Sequence, residues 1–270
     1  MIIIKKEKES LILKRHPWLY SKAIHTIVGN PENGDIVPVC SRDNKVLCYG
    51  FYSPGSLISI RIISFGENKP EKEWLKIRIK NAYDLRKSLL IPSNGYRLIN
   101  AEGDFLPGLI VDIYNKTTVI RPLIKGIENN LNTIIDILVE LYPKNSIFIK
   151  RDEFSARKED ITIKNGFIRN NRDGMEIIEE NGIHFYVDIL SGQKTGFYFD
   201  LRDARILAST CCMDKRVLNL FSYTGAFALH AAKGRAKIVV SVEQSKKAIE
   251  YARKNEKNNP GLSTTFEWIQ

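Results

Sequence analysis

The spacing of hydrophobic and polar positions changes twice along the chain, and the first pattern is that of short strands. Up to about residue 66, "GDIVPVCS", "KVLCYGFYS" and "LISIRIIS" place β-branched and aromatic residues at roughly every second position. Turn-forming stretches, "NPENG", "RDN" and "SPGS", lie near and between them. Residues 1–66 are therefore predicted to form a small β-barrel or sheet domain, which ends in the charged stretch "FGENKPEKEW".

Residues 67–170 mix the two periodicities. Apolar positions recur at helical spacing at Trp74, Ile77, Ala82, Leu85 and Leu89. Strands are then predicted in "YRLIN", "GLIVDIY" and "TTVIRPL", a helix in "IENNLNTIIDILVELY" and a strand in "SIFIK". This pattern indicates a central α+β domain.

Residues 171–270 begin with a hairpin and then alternate regularly. In "MEIIEENGIHFYVDI" the dipeptide Asn181-Gly182 is a strong signal for a two-residue turn. A helix in "DLRDARILAST" precedes strand "RVLNLF", helix "AFALHAAKG", strand "KIVVSVE", helix "SKKAIEYARKNEKN" and strand "TTFEWI". Apolar strands separated by helices predict βαβ crossovers and a parallel sheet. The predicted fold class is a multidomain α/β protein.

Composition adds a charge and excludes some classes. Lysine and arginine number 41 against 31 acidic residues, a formal net charge of +10. This excess favours a polyanionic partner such as RNA, although a generally basic, solvated surface explains it equally well. A membrane span is not predicted, because no long apolar run occurs. The four cysteines form no C-x-x-C pair and the four histidines are scattered, so a metal site is not expected. The same cysteine usage leads us to expect a reducing, cytoplasmic location.

The predicted turn after "RVLNL" carries one glycine, Gly225, in "FSYTGAF". The three glycines of G-x-G-x-x-G admit a pyrophosphate; S-adenosylmethionine has none, so one glycine suffices for its methionine end. Glu243 follows the next strand, where a carboxylate accepts hydrogen bonds from ribose hydroxyls. The alternative is a solvated acid ahead of the next helix, with Ser245 as the nearer cap. Nicotinamide-dependent enzymes share both features.

Four segments together carry a resemblance: "HPWLYSKAI", "RLINAEGDFLPGLIVDIY", "GQKTGFYFDLRDAR" and "VLNLFSYTGAFALHAAKGRAKIVVSVEQSKKA". They resemble the class I S-adenosylmethionine-dependent methyltransferases that modify cytosine C5 in large-subunit ribosomal RNA. The similarity runs from about His16 to the last residue. It implies a PUA-like RNA-binding domain over 1–66, a central domain over 67–170 and part of a Rossmann-like catalytic domain over 171–270, with S-adenosylmethionine as cofactor, large-subunit rRNA as partner, and a possible homodimer.

The resemblance also implies site residues. The cofactor would be held by Lys194, Thr195, Gly196, Phe197, Tyr198, Asp200, Arg205, Phe221, Ser222, Tyr223, Thr224, Gly225 and Glu243. RNA would be bound by Arg15, Trp18, Tyr20 and Lys22. Structural alternatives stay open: the aromatics at 197–199 could belong to the core, Asp200 could cap the next helix, and Trp18 and Tyr20 could fill the barrel.

Two departures from the family limit what is implied. Leu201 stands where relatives often carry glutamine, and the D-P-P motif and the nucleophilic cysteine of relatives do not occur, so catalytic residues are unknown. Cys211 and Cys212 precede the first strand of the parallel sheet and are expected to be buried, non-catalytic thiols. "RVLNLF" is expected to form an exposed apolar edge, which suggests a fragment of a methyltransferase. The alternatives are a non-catalytic RNA-binding protein with a vestigial domain and, less consistent with the single glycine, a nicotinamide-dependent oxidoreductase.

Overall fold

The computed structural model describes all residues, 1–270, and divides them into two compact units. The first unit comprises Met1–Leu90, Arg97–Asp112 and Thr117–Asn171, and the second comprises Ile91–Tyr96, Ile113–Lys116 and Arg172–Gln270. The predicted boundary near residue 66 falls inside the first unit. The division into three domains therefore stays a prediction.

The N-terminal part of the first unit is a curled six-stranded sheet in the order β2-β6-β5-β4-β1-β3. Its elements are β1 (Ile2–Ile4), α1 (Glu9–Leu13), β2 (Trp18–Tyr20), β3 (Ile24–Ile27), β4 (Ile36–Cys40), β5 (Val46–Tyr52) and β6 (Ile58–Phe65). Strands β4 and β5 lie within the predicted strand segments, and β6 extends one residue, Phe65, beyond its predicted segment. Alternate strand residues such as Ile2, Leu19 and Ile60 are fully buried in one apolar cluster, as the period of two requires.

The second sheet has five strands in the order β11-β10-β9-β8-β7. Its region contains α2 (Trp74–Ser88), β7 (Gly95–Asn100), β8 (Leu109–Tyr114), β9 (Thr117–Pro122), α3 (Lys125–Asn129), α4 (Leu131–Leu141), β10 (Ser146–Ile149), α5 (Glu153–Glu159) and β11 (Gly166–Arg169). The helix predicted in "IENNLNTIIDILVELY" is two helices, α3 and α4. They break at Asn130, whose Nδ2 donates to the carbonyl of Gly126 at 2.7 Å.

The predicted apolar face of α2 is wrong in part. The buried residues are Leu75, Ile79 and Ala82. The predicted core positions Ile77, Leu85 and Leu89 are exposed. Since 75, 79 and 82 follow the i, i+4, i+7 spacing of one helix face, the true stripe lies on a different face from the predicted one.

The second unit holds a hairpin and a parallel sheet. Its elements are β12 (Met175–Glu180), β13 (Ile183–Asp188), α6 (Arg202–Ser209), β14 (Arg216–Leu220), α7 (Ala226–Lys233), β15 (Ile238–Val242), α8 (Lys246–Lys257) and β16 (Thr265–Ile269). The hairpin turn has φ of 51° at Asn181 and 71° at Gly182, as the predicted turn type requires. The parallel strands lie in the order β14-β15-β16, and on β14 Leu218 is 64% exposed, as expected for an apolar edge.

No helix of either unit combines the length and the apolar character that crossing a bilayer requires.

Candidate cofactor site

A cavity of about 450 Å³ opens in the second unit where the segment 192–205 meets the turn that follows β14. Its lining is formed by Gln193, Phe197, Tyr198, Leu201, Arg205, Asn219, Leu220, Phe221, Ser222, Tyr223, Ala226, Phe227 and Glu243. The volume lies in the range of small-molecule sites. The position also fits, because ligands of parallel sheets bind beyond the carboxyl ends of the strands.

The structure brings together seven of the thirteen predicted cofactor residues around this cavity. These are Phe197, Tyr198, Arg205, Phe221, Ser222, Tyr223 and Glu243. The other six do not line it: Lys194, Thr195, Gly196, Asp200, Thr224 and Gly225. The contacts of Lys194, Thr195, Asp200 and Gly225 are described below. Gly196 and Thr224 instead line a neighbouring cavity of about 180 Å³, which shares Gln193 and Tyr223 with the first.

The carboxylate of Glu243 ties the two strand ends together. One oxygen accepts the backbone N–H of Tyr223 at 2.8 Å, and the other accepts the N–H of Ser245 at 2.8 Å. A carboxylate offers about four acceptor positions, so both oxygens retain capacity toward the cavity. The alternative, in which Glu243 is only an acid ahead of α8 and Ser245 is the cap, is correct for Ser245. Its side chain caps α8 by accepting the N–H of Ala248. Glu243 is therefore a structural acceptor that also faces the cavity.

Gly225 is required by packing. Its φ is +82°, and a Cβ placed there would lie 2.7 Å from the Trp268 ring on β16. A positive φ and a close approach of this kind both favour glycine. The structure therefore explains the glycine by the close packing of the turn against Trp268. The sequence alone predicts that the glycine admits the methionine end of the ligand, and direct contact with a cofactor stays a prediction.

Tyr114, at the end of β8, anchors the segment that walls the cavity. Its hydroxyl lies 2.8 Å from Oγ1 of the fully buried Thr195 and accepts the backbone N–H of Phe197 at 2.9 Å. Thr195, which does not itself line the cavity, therefore helps to fix the segment that forms the cavity wall. Nothing in the sequence pattern around "GLIVDIY" marked Tyr114, because its role depends on a contact 81 residues away along the chain.

A buried ion pair fixes the same segment at its other end. Arg205 donates to both oxygens of Glu180 at 2.8 Å, and the two side chains are 1% and 0% exposed. Arg205 also donates to the Tyr198 carbonyl at 3.0 Å. Nearby, burial lowers the pKa of His230, although the charge of Glu180 and the Ala226 carbonyl oppose this shift. Sequence reasoning found Arg205 and missed Glu180, which the hairpin supplies.

Aromatic rings form the rim. Tyr198 and Tyr223 meet edge to face at 5.6 Å, and the Tyr223 hydroxyl accepts the N–H of Gln193 at 2.9 Å. Burial, together with the nearby carboxylates of Asp200 and Glu243, raises the pKa of Tyr198. Both phenols are therefore neutral hydrogen-bonding groups near pH 7.

The open alternatives for this segment divide residue by residue. Phe197 is 2% exposed and its ring centre lies 5.2 Å from that of Phe185, so it is a core aromatic that also reaches the cavity wall. The N-cap position of α6 is Leu201, so Asp200 does not occupy it. The Asp200 carboxylate pairs with Lys194 at 3.0 Å, and the Lys194 ammonium lies 4.2 Å from the centre of the Tyr198 ring. Leu201 lines the cavity, so the position where relatives often carry glutamine does face the site.

Two polar atoms of lining residues are buried without a hydrogen-bond partner, Asn219 Nδ2 and Ser222 Oγ. Buried polar groups in native proteins are nearly always satisfied, so the amide donor of Asn219 and the hydroxyl of Ser222 are available to a ligand in the cavity. The combination of aromatic walls, a carboxylate and unpaired polar groups fits the adenosine and amino-acid parts of S-adenosylmethionine. No cysteine lines the cavity. Cys211 is exposed, contrary to expectation, and Cys212 is buried against the Ala208 carbonyl.

The predicted RNA-binding segment lies at the surface of the first unit. In β2 only Leu19 enters the core, while Tyr20 is 37% exposed and Trp18 is half-buried, with its indole N–H donating to Glu102 at 2.9 Å. The alternative in which Trp18 and Tyr20 fill the barrel is therefore wrong. Arg15 and Lys22 are exposed. An RNA contact of these residues stays a prediction.

Comparison with known proteins agrees with this geometry. Residues 2–65 match the family model of a PUA-like domain, and residues 168–264 match that of an S-adenosylmethionine-dependent methyltransferase. The chain is 38% identical over 259 residues to ribosomal RNA large subunit methyltransferase I of Tolumonas auensis and 39% identical over 261 residues to that of Vibrio parahaemolyticus. These matches cover 94% and 96% of the chain, which spans only 65% and 66% of the length of the two relatives.

Two solved structures share the fold. A protein from Streptococcus mutans described as a candidate SAM-dependent methyltransferase superposes with a TM-score of 0.82 at 21% identity, covering 100% of this chain and 70% of that one. A candidate methyltransferase in complex with SAH gives 0.84 at 20% identity, covering 100% and 69%. Residues 2–65 therefore form a PUA-like domain, and residues 168–264 have the sequence and fold of an S-adenosylmethionine-dependent methyltransferase domain.

Proposed function

We propose that this chain provides the cofactor-binding and RNA-binding parts of a methyltransferase that acts on large-subunit ribosomal RNA. The observation that carries the proposal is the cavity of the second unit, in which Glu243 lies together with the unpaired polar atoms of Asn219 and Ser222. The names of the relatives and the PUA-like domain support rRNA as the substrate.

The residues of the chain would divide the work of binding. Glu243 would accept the ribose hydroxyls, Tyr198 and Phe221 would cover the apolar faces of the ligand, and Ser222 and Asn219 would take its polar groups. S-adenosylmethionine, when bound, supplies an electrophilic methyl group on its sulfonium. Phe197 and Arg205 in the cavity wall are 2% and 1% exposed, so this wall is set before the ligand arrives, which lowers the entropy lost on binding. Phe221, at 90% exposed, lies on the open side of the cavity.

Cytosine C5 is the target atom that we propose within this function, on the resemblance of the four segments described above. C5 is a poor nucleophile, and enzymes of this kind add a thiolate to C6 first. The thiol step is assigned to none of the four cysteines, because none lines the cavity. A rRNA substrate also fits the predicted cytoplasmic location, and pairing of two copies stays a prediction.

The direct test is methyl transfer to unmodified transcripts of large- and small-subunit rRNA, followed by mass spectrometry of the nucleosides. Because none of the four cysteines lines the cavity, the assay compares this chain with one extended through the D-P-P and cysteine motifs of relatives. We expect the extended chain to methylate the large-subunit transcript only, recovered as 5-methylcytidine, and this chain to bind the cofactor without transferring its methyl group. Another methylated nucleoside would overturn the cytosine assignment while leaving the substrate class intact. Equal methylation of both transcripts would contradict the substrate class. If the extended chain binds the cofactor and methylates neither transcript, the proposed activity is contradicted and the non-catalytic RNA-binding alternative is favoured.

A further inference from the structure

A second cleft, in the first unit, combines exposed aromatic surface with arginine. Its volume is about 480 Å³, and its lining includes Arg15, Phe65, Arg78 and Phe105. Of these residues only Arg15 belongs to the segment predicted to bind RNA. The volume is that of a small-molecule or nucleotide site.

Phe105 is held in an unusual position. The residue is 63% exposed and its backbone is left-handed, with φ of +58°. The preceding residue, Asp104, is fixed by the guanidinium of Arg86 and accepts the N–H of Asn100 at 2.6 Å. The loop is therefore rigid, yet it presents a phenylalanine to solvent. Left-handed backbone at a non-glycine residue is strained, and such residues concentrate at functional sites. The exposed ring also buries little apolar surface, so it contributes little to the stability of the fold.

Guanidinium groups flank this ring. The Arg78 guanidinium lies 5.8 Å from the centre of the Phe105 ring and 5.5 Å from that of Trp74, and it donates to the Phe105 carbonyl. Across the cleft, the Arg15 guanidinium lies 5.6 Å from the centre of the Phe65 ring. The carboxylate of Asp104 is neutralised by Arg86, so the cleft has a positive balance. Helix α2, which carries Arg78, contains five basic residues and one acid.

This combination matches the chemistry of an unpaired nucleotide. Aromatic side chains stack on bases that are not in a duplex, and arginine pairs with the adjoining phosphate. A base inside a double helix could not reach the Phe105 ring. We propose that the cleft lined by Arg15, Phe65, Arg78 and Phe105 binds one unpaired nucleotide of RNA, with the base on Phe105 and the phosphate on Arg78 and Arg15. This inference rests on the RNA-binding part of the proposed function.

The test is fluorescence anisotropy with a short labelled oligouridine and with an RNA duplex of equal length. We expect the full chain to prefer the single strand and Phe105→Ala to weaken that binding about tenfold, the usual effect of losing one stacked base. Phe105→Trp should retain the affinity. The matched control is Phe154→Ala, because Phe154 is also exposed, at 68%, with the Lys158 ammonium 4.3 Å from its ring centre.

Arg78→Gln supplies a second readout. Losing one phosphate contact should lower the slope of log affinity against log salt concentration by about one. If the wild type binds the oligouridine and Phe105→Ala binds equally well, the nucleotide cleft is wrong while RNA binding stands. If the wild type binds neither RNA, both the cleft and the RNA-binding proposal are wrong. A preference for the duplex, unaffected by Phe105→Ala, would also overturn the cleft.

Discussion

Each unit contains an arginine placed over a phenylalanine ring, and the two pairs differ mainly in burial. In the second unit the Arg205 guanidinium lies 4.9 Å from the ring centre of Phe197, and the two residues are 1% and 2% exposed. In the first unit Arg78 lies 5.8 Å from the ring centre of Phe105, which is 63% exposed. The two phenylalanines therefore lie in opposite solvent environments, each beside an arginine.

The difference shows how burial decides what such a pair can do. Arg205 uses its donors internally, on Glu180 and the Tyr198 carbonyl, so it fixes the wall of the cofactor cavity. Phe105 leaves one ring face to solvent and contributes little apolar burial. Substitutions at the buried pair should therefore change the free energy of unfolding, whereas substitutions at the exposed pair should change ligand binding.

The largest expected effect is that of Glu180→Gln. This change leaves the Arg205 charge buried without its counter-charge, which typically destabilises a protein by about 3–5 kcal/mol. Urea denaturation followed by circular dichroism measures it. The control is Glu140→Gln, which breaks an exposed pair with Lys76 at 3.1 Å and should change stability by about 1 kcal/mol or less. Equal effects of the two changes would contradict the structural role of Arg205.

Gly225→Ala should have the next largest effect. Its φ of +82° and the Trp268 ring 2.7 Å from the new Cβ predict a loss of about 1–3 kcal/mol. The turn should shift as well, so affinity for the cofactor should fall together with the Tm. Gly261→Ala is the matched control in the same unit, because no atom lies within 4 Å of its Cβ position. A Gly225→Ala protein with unchanged Tm would show that the turn is looser than described.

The pH dependence of stability is expected to report on Asp188. Burial alone would raise its pKa, but hydrogen bonds from Ser191, Lys247 and Tyr251 hold it at about 2. Because this value lies below that of the unfolded chain, about 3.9, the stabilisation is present above pH 4 and is lost as the pH falls toward 2. Asp188→Asn should remove about 1–2 kcal/mol of stability at pH 7 and flatten the acid limb of the unfolding curve. The exposed Asp203→Asn should leave that limb unchanged; an identical acid limb for Asp188→Asn and the wild type would refute the assignment.

The smallest expected effect on stability is that of Phe105→Ala. Its exposed ring should contribute no more than about 0.5 kcal/mol, even though the same change should weaken RNA binding. The measurement is the same urea titration of the full chain that is used for Glu180→Gln. A loss above about 2 kcal/mol would show that the ring is part of the core, and the contrast between the two arginine–phenylalanine pairs would then disappear.

Much of the fold could be predicted from the local pattern of the sequence, whereas the cofactor site could be predicted only in part. Strands β4 to β6, the Asn181-Gly182 hairpin and the alternating elements after it could be predicted because each depends on residues that are near in sequence. The buried face of α2 could not, because Ile77 and Leu85 fit a helical stripe as well as Leu75 and Ile79 do, and only the packing partners decide between them.

The site shows the same limit. Tyr198, Tyr223 and Glu243 could be named from a turn, a strand end and a resemblance. Tyr114 and Glu180 act through contacts with residues 81 and 25 positions away, and no spacing rule points to them. Phe105 was missed for a different reason: exposure and a positive φ are properties of the folded backbone, and the letters "EGDFLPG" indicate only a turn.

We have proposed that the cavity beside Glu243 binds an adenosyl sulfonium, and the decisive measurement is calorimetric titration with S-adenosylmethionine and with NAD. Two variants accompany the wild type: Glu243→Ala, which removes the proposed ribose acceptor, and Ser222→Ala, which removes an unpaired hydroxyl and should leave the Tm unchanged. We expect binding of S-adenosylmethionine but not of NAD, with the affinity for S-adenosylmethionine lowered about tenfold or more by Glu243→Ala and several-fold by Ser222→Ala. Preference for NAD, no binding of either ligand, or wild-type affinity in both variants would contradict it.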